Sequence, residues 1–307
     1  MSSSPEADAA AEATWAGLAR RQRTPPVPLP ADLRATGQTA VVTGSNVGLG
    51  LAASRQLLGL GLSHLVMGVR SQAKGDAAAS KLRDEFPGAQ VSVWLLDMES
   101  YDSVREFAAR CASEELPRID VVILNAGLMA PAYTAVAATG HELTLQVNYL
   151  STVLLALLLV PVLRAKKEAG ASRPPVLSIV GSDAHYTAPL NGAAAEEGPV
   201  LARVDDPKGF SQFPAYTNSK LLLALFVARL AELVEPGDVL INLSNPGMTK
   251  GTAFGRDNWA IARWLFGVVQ YFWARTIEVG ASVYVDAALT RGAESHGKFI
   301  SDWTIKP

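Results

Sequence analysis

From Gln38 onward, short runs of almost unbroken apolar residues alternate with stretches of helical length. The runs TAVV, HLVMGVR, VSVWLLD, IDVVILNAG, VLSIVGS and the segment from Val239 to Leu243 read as strands. A strand that is apolar at every position, rather than at every second one, must be covered on both faces. Helices at about 49–60, 72–86, 101–113, 142–167, 216–233 and 278–289 supply two covering layers. The pattern predicts an α/β fold: a Rossmann-type doubly wound parallel sheet with helices on both faces, in a single domain. A short last strand near 298–300 completes it. Such sheets bind ligands at the carboxyl ends of their strands. Gly44, Arg70, Asp97, Asn125, Ser182 and Pro246 all fall just after a predicted strand.

The first strand runs into TGSNVGLG (43–50). Glycines allow a tight turn and a close backbone approach to an anion, and the helix that follows offers unpaired N–H groups and the positive end of its dipole. The spacing Gly44-x-x-x-Gly48-x-Gly50 differs from the G-x-G-x-x-G of two-domain dehydrogenases. The turn is a phosphate cradle by chemistry, and the acids, bases and amides that follow it decide which phosphate.

Composition removes several classes. A net charge of −2 over 307 residues gives no basic footprint for nucleic acid. The single cysteine, Cys111, excludes an intramolecular disulfide framework and a Cys-rich zinc site, and reads as a buried thiol. Four scattered histidines give no metal signal. The start MSSSPEADAAAEAT is acidic and lacks an apolar core, unlike a secretory or mitochondrial leader, so the expected setting is cytoplasmic. The most apolar run, VLLALLLVPVL (153–163), is too short to span a bilayer and contains Pro161, and reads as a buried core helix. Residues 1–35 read as an N-terminal extension and 36–307 as the domain. Within the extension a helix over about 9–23 ends in Arg20-Arg21-Gln22-Arg23, before the linker TPPVPLP. The basic run reads as part of a solvated arm packed loosely on the domain, with a targeting or docking signal as the alternative.

Taken together, TGSNVGLG, LDMES (96–100), NAG (125–127), VNYLS (147–151), Ser182, YTNSK (216–220) and NPG (245–247) resemble the short-chain dehydrogenase/reductase superfamily over about residues 37–303. VMGVRS, AYTNSKLLLALF and SHGKFISD are similar to its retinol-dehydrogenase-like branch and to reductases of fungal secondary metabolism. Tyr216 and Lys220, at i and i+4, share a helix face. The resemblance implies that Tyr216 moves the proton, Lys220 tunes Tyr216 and holds the nicotinamide ribose, Ser182 binds the substrate oxygen, and Asn148 holds a water behind Lys220. A tyrosine titrates near ~10, and a neighbouring ammonium is expected to lower that value.

The implied cofactor is NADP(H). Strand 2 ends in Arg70 with Lys74 a turn later, where an acidic residue would suit NAD(H), and a guanidinium can clamp a 2′-phosphate. Gly44, Ser45, Asn46, Gly48, Leu49 and Gly50 form the implied phosphate turn. Asp97 would contact adenine, and Asn125 and Gly127 would line the cofactor. After Pro246 and Gly247 the pattern departs from the family: Gly251 stands where a hydroxyl is usual, so either Thr249 or Thr252 takes that contact.

The substrate side is expected from two segments. Residues 183–214 include His185, Tyr186 and Phe210 to Phe213. Residues 248–275 include Trp259, Trp264, Phe266, Tyr271, Phe272 and Trp273. His185 is read equally well as structural. The second segment reads as a lid over a lipophilic carbonyl or alcohol, as a homodimer interface, or, with Arg263 and Arg275, as a peripheral membrane contact. The expected activity is hydride transfer between NADP(H) and that substrate. An epimerase or dehydratase on the same fold, and a non-catalytic NADP(H)-binding regulator, are the alternatives.

Overall fold

A computed structural model describes residues 5–168, 171, 173–191, 199–250 and 274–307. The strands are β1 (Thr39–Thr43), β2 (His64–Val69), β3 (Gln90–Leu95), β4 (Val121–Leu124), β5 (Val176–Val180), β6 (Leu240–Asn245), β7 (Phe299–Ser301) and β8 (Thr304–Lys306). They form one eight-stranded sheet in the order β3-β2-β1-β4-β5-β6-β7-β8. All pairs are parallel except the β7–β8 hairpin. Its turn places Asp302 and Trp303 at φ 45° and 57°, a left-handed pair that suits the hairpin twist. Trp303 is held there by burial and by donating from Nε1 to Ser282 Oγ at 3.3 Å.

The helices are α1 (Pro5–Glu12), α2 (Trp15–Arg23), α3 (Gly48–Gly59), α4 (Gln72–Glu85), α5 (Tyr101–Ala112), α6 (Leu143–Ala165), α7 (Val200–Val204), α8 (Gln212–Ala231) and α9 (Ile277–Leu289). Strand residues feed the two faces alternately, as a period of two requires. Val41, Val122 and Leu124 join Phe107, Leu155, Leu159, Leu223 and Val227 on the α5–α6–α8 face. Ala40, Val42, Val121 and Ile123 join Leu57, Leu82, Tyr284 and Val285 on the α3–α4–α9 face. Ser71, Ser100 and Thr276 cap α4, α5 and α9, each accepting a bond from a backbone N–H of the first turn. Gly61, at φ +85°, ends the α3 turn.

Two expectations change. The apolar run 153–163 reads as too short to span a bilayer, but the helix that holds it, α6, is 23 residues long and by length and composition could cross a membrane. Its Leu155, Leu159 and Leu163 are fully buried, and it packs on α5 as a core helix. Pro161 lies within it, and a π-turn over Gln146–Leu150 widens its start. The N-terminal arm is not solvated at Arg21 and Gln22, which are 3% and 8% exposed. The single helix expected over 9–23 is two, α1 and α2, broken where Thr14 caps α2 by accepting from Gly17 N at 3.0 Å. A Cβ on Gly17 would lie 2.5 Å from Ala11 O, so glycine permits the close crossing of the pair.

Candidate functional site

A cleft of about 590 Å³ opens at the carboxyl ends of the strands. It lies where the strand order switches between β1 and β4, which is where a doubly wound sheet holds its ligand. One end is the glycine turn, where Gly44 and Gly48 stand at φ +65° and +60°. Thr43 and Asn125 lock this turn to β4. Asn125 N and Ala126 N donate to Thr43 Oγ1, each at 3.0 Å, and Asn125 Nδ2 donates to the carbonyls of Thr43 and Gly44 at 2.9 and 3.3 Å. Helix α3 starts at Val47, which has no side chain to cap it, so its first N–H groups remain for an anion. Gly44, Asn46, Gly48, Leu49, Arg70, Asp97, Asn125, Gly127, Pro246, Gly247 and Thr249 all line the cleft.

The other end carries the acid–base group. Tyr216 and Lys220 come from one face of α8, and Ser182 from the loop after β5. Tyr216 is hydrogen-bonded through its side chain to Ser182. Burial raises the Tyr216 hydroxyl to about 12, the Ser182 bond opposes that rise, and the charge of Asp183 adds to it. Burial lowers Lys220 to about 8. The expected lowering of Tyr216 by its ammonium neighbour does not occur here, and desolvation sets the direction instead. Geometry gives the reason: Lys220 Nζ donates to Val180 O at 2.8 Å and lies 5.9 Å from the centre of the Tyr216 ring. Asn148 sits behind them in the π-turn. Its Oδ1 accepts from Leu128 N at 2.8 Å, and its Nδ2 donates to Leu128 O and Ser219 Oγ at 2.8 and 3.1 Å. A Cβ on Gly127 would lie 3.2 Å from Asn148 Oδ1 and 3.8 Å from Lys220 Nζ, so the glycine leaves room where the two side chains converge.

Several expected residues fall elsewhere. Ser45 and Gly50 lie beneath the turn rather than on the cleft wall, and Lys74 stands on the first turn of α4 outside the lining. Thr252 and the aromatic residues from Trp259 to Trp273 lie outside the described residues. Thr249 is the threonine seen at the cleft, its Oγ1 donating to Gly247 O at 3.0 Å. His185 is structural: buried, its Nδ1 is 2.6 Å from Ser182 O and its ring packs on Tyr186 and Phe299. Phe213 lines the cleft, while Phe210 stacks edge-on against Tyr133. Arg70 lines it too, with Nη1 2.5 Å from Glu99 Oε1.

Sequence reasoning misses Leu18 and Tyr284, which also line the cleft, as does Asp183 at the start of the expected substrate segment. Tyr284 reads as one more apolar residue in the run VGASVYVDAAL. Its hydroxyl is fully buried and, like that of Ser45, finds no hydrogen-bond partner among the described residues. The uncapped helix start and the positive-φ glycines of the turn fit a bound dinucleotide.

A family described as short chain dehydrogenase matches residues 38–172. The whole chain is 57% identical to short chain dehydrogenase virL of Hypocrea virens, covering 88% of that protein. It is 46% identical to short chain dehydrogenase opdN of Penicillium oxalicum, with each chain fully covered. L-sorbose reductase from Gluconobacter frateurii, solved with NADPH and L-sorbose, superposes with a TM-score of 0.64 at 22% identity, over 88% of this chain and 97% of that one. Pseudomonas aeruginosa RhlG, solved with NADP, does so at 0.62 and 22% identity, over 89% and 97%. These two share the fold.

Proposed function

The chain belongs to the short-chain dehydrogenase family, and on that footing we propose that it is an NADP(H)-dependent oxidoreductase of a lipophilic ketone, aldehyde or alcohol in fungal secondary metabolism. The observation that carries the reading is the Ser182–Tyr216 hydrogen bond inside a cleft whose far end is the glycine turn. Bound NADP(H) supplies the hydride chemistry. Gly44, Asn46, Gly48 and Leu49 would hold its pyrophosphate, Asp97 the adenine, Asn125 and Gly127 the middle of the molecule, and Lys220 and Thr249 the nicotinamide end. Ser182 donates to the substrate oxygen and stabilises the charge that develops there. Tyr216 gives its proton to that oxygen in reduction, and takes it back in oxidation. A hydroxyl held at about 12 is fully protonated at neutral pH, which suits a proton donor. The apolar wall of Leu18, Leu128, Met129, Phe213 and Met248 suits a hydrophobic substrate.

The test is absorbance of the reduced nicotinamide with a panel of hydrophobic carbonyls. Consumption of NADPH that depends on the carbonyl supports the reading. Tight NADPH binding with no consumption on any carbonyl points to the non-catalytic alternative.

The 2′-phosphate preference rests on Arg70. Glu99 now takes one of its N–H groups, and a 2′-phosphate would replace that carboxylate as the stronger anion. Because the Arg70 side chain is 68% exposed, the effect is modest. Arg70→Ala is expected to lower the NADPH-over-NADH ratio of kcat/KM about tenfold. An unchanged ratio refutes the assignment.

A further inference from the structure

We infer that the N-terminal helix pair is a built part of the substrate site: Leu18 is one of its walls, and Arg21 and Gln22 fix the two loops that carry Ser182 and the segment after Asn245-Pro246-Gly247. The inference rests on the oxidoreductase reading for its substrate, but not for the docking. Three sets of contacts carry it.

Gln22 pairs with the backbone of Met248 as a strand would. Its Nε2 donates to Met248 O at 2.9 Å, and its Oε1 accepts from Met248 N at 3.0 Å. Gly247, at φ +72°, leaves the space: a Cβ there would lie 2.5 Å from Gln22 Oε1. Arg21 is buried and reaches the loop next to Ser182. Its Nε donates to Asp183 Oδ2 at 3.1 Å, it pairs with Glu12, and its guanidinium lies 5.5 Å over the Tyr186 ring. Arg275 closes the join from the far side, donating to Arg21 O and, at 3.4 Å, to Pro246 O. Leu18, one helical turn before Gln22, faces the cleft beside Ser182, Phe213 and Met248.

A buried arginine needs partners, and here they are Glu12 and the residue after Ser182, Asp183. Asp183 adds negative charge beside Tyr216, and Arg21 offsets it. The groups facing Tyr216 are Ser182 and Asp183 from the β5 loop, Lys220 from α8 and Tyr284 from α9. Those facing Arg21 are Glu12, Asp183, Tyr186 and Arg275, with Lys306 and Arg20 beyond Glu12. Arg21 is thus a positioning residue that acts through Asp183, whereas Leu18 would touch substrate.

The full-length protein carries the test, with NADPH and straight-chain and aryl ketones of graded size as probes. Arg21→Gln leaves Asp183 uncompensated, so the limb of the kcat/KM profile that reports Tyr216 moves to higher pH. Arg21→Lys, or adding Asp183→Asn, brings it back. Leu18→Ala raises KM about tenfold for the bulkiest ketones and little for the smallest, with NADPH Kd within about twofold of the parent. A purely structural arm would lower Tm while leaving the pH limb and the size dependence where they are, and that result overturns the inference. Hydrogen exchange over 183–188 and 246–250 tests the docking without a substrate. Faster exchange in Gln22→Ala and Arg21→Gln supports it, and unchanged exchange refutes it. If none of the ketones makes the parent consume NADPH, the oxidoreductase reading fails while the exchange result still decides the docking.

Discussion

Tyr216→Phe is expected to lower kcat by about two to four orders of magnitude while leaving NADPH Kd within about twofold. The substitution removes one oxygen and keeps the ring, so the packing of α8 against the β5 loop survives. What is lost is the hydroxyl hydrogen-bonded to Ser182. Ser182 would still polarise the substrate oxygen, but the general acid that delivers the proton to it is gone. The residual rate should no longer bend with pH in the range set by Tyr216. Single-turnover NADPH oxidation separates this chemical loss from product release. Parent-like turnover in the phenylalanine variant would remove Tyr216 from the mechanism.

The raised position of Tyr216 bears on how each direction depends on pH. With the hydroxyl near 12, little phenolate exists at neutral pH to take a proton from an alcohol. Lys220, lowered to about 8 by burial, can lose its charge near the alkaline end of the working range. Oxidation should therefore have an alkaline optimum and reduction a broader, lower one. Desolvation, which a sequence cannot report, decides this. Tyr-x-x-x-Lys spacing reveals that an ammonium shares the helix face, but not that its nearest acceptor is Val180 O.

The sheet was legible because its strands are apolar on both faces, and the turn because TGSNVGLG follows the first of them directly. Ser182, Tyr216, Asn125 and Asp97 were legible through order along the chain, since each lies at a strand end or helix start that the pattern already places. Arg21 was not. A basic run after an alanine-rich helix ordinarily marks a solvated face, and the two carboxylates that bury it, Glu12 and Asp183, stand 9 and 162 positions away. Tyr284 was hidden for the opposite reason: a tyrosine among valines and alanines reads as core, and it is core, with a buried hydroxyl unpartnered among the described residues, while also lining the cleft. Local pattern specifies the scaffold; long-range pairing specifies which polar atoms end up aimed at the ligand.

Gly50→Ala should weaken NADPH binding by about 1–3 kcal/mol, or roughly 5- to 150-fold in Kd, although alanine is the better helix former. In an ordinary helix position the change would stabilise by about 0.5–1 kcal/mol. At Gly50 the new Cβ would lie 2.5 Å from Gly44 O and 2.6 Å from Asn125 Nδ2. Neither can yield freely. Gly44 N donates to Gly68 O at 2.7 Å, and the Asn125 amide is held by the Thr43 and Gly44 carbonyls. The strain must then open the turn or tilt the start of α3, and both displace the N–H groups meant for the pyrophosphate. Two other glycines separate the causes. Gly59, at the far end of the same helix, has nothing within 4 Å of its added Cβ, so Gly59→Ala carries the propensity gain alone. Gly48 also has open space but stands at φ +60°, so Gly48→Ala carries backbone strain alone, about 1–2 kcal/mol. Fluorescence titration with NADPH and melting curves on the three variants give the ranking. The order Gly50→Ala weakest, then Gly48→Ala, then Gly59→Ala near the parent is the signature of a turn whose backbone meets the cofactor, and equal Kd values across the series would take this turn out of the binding site.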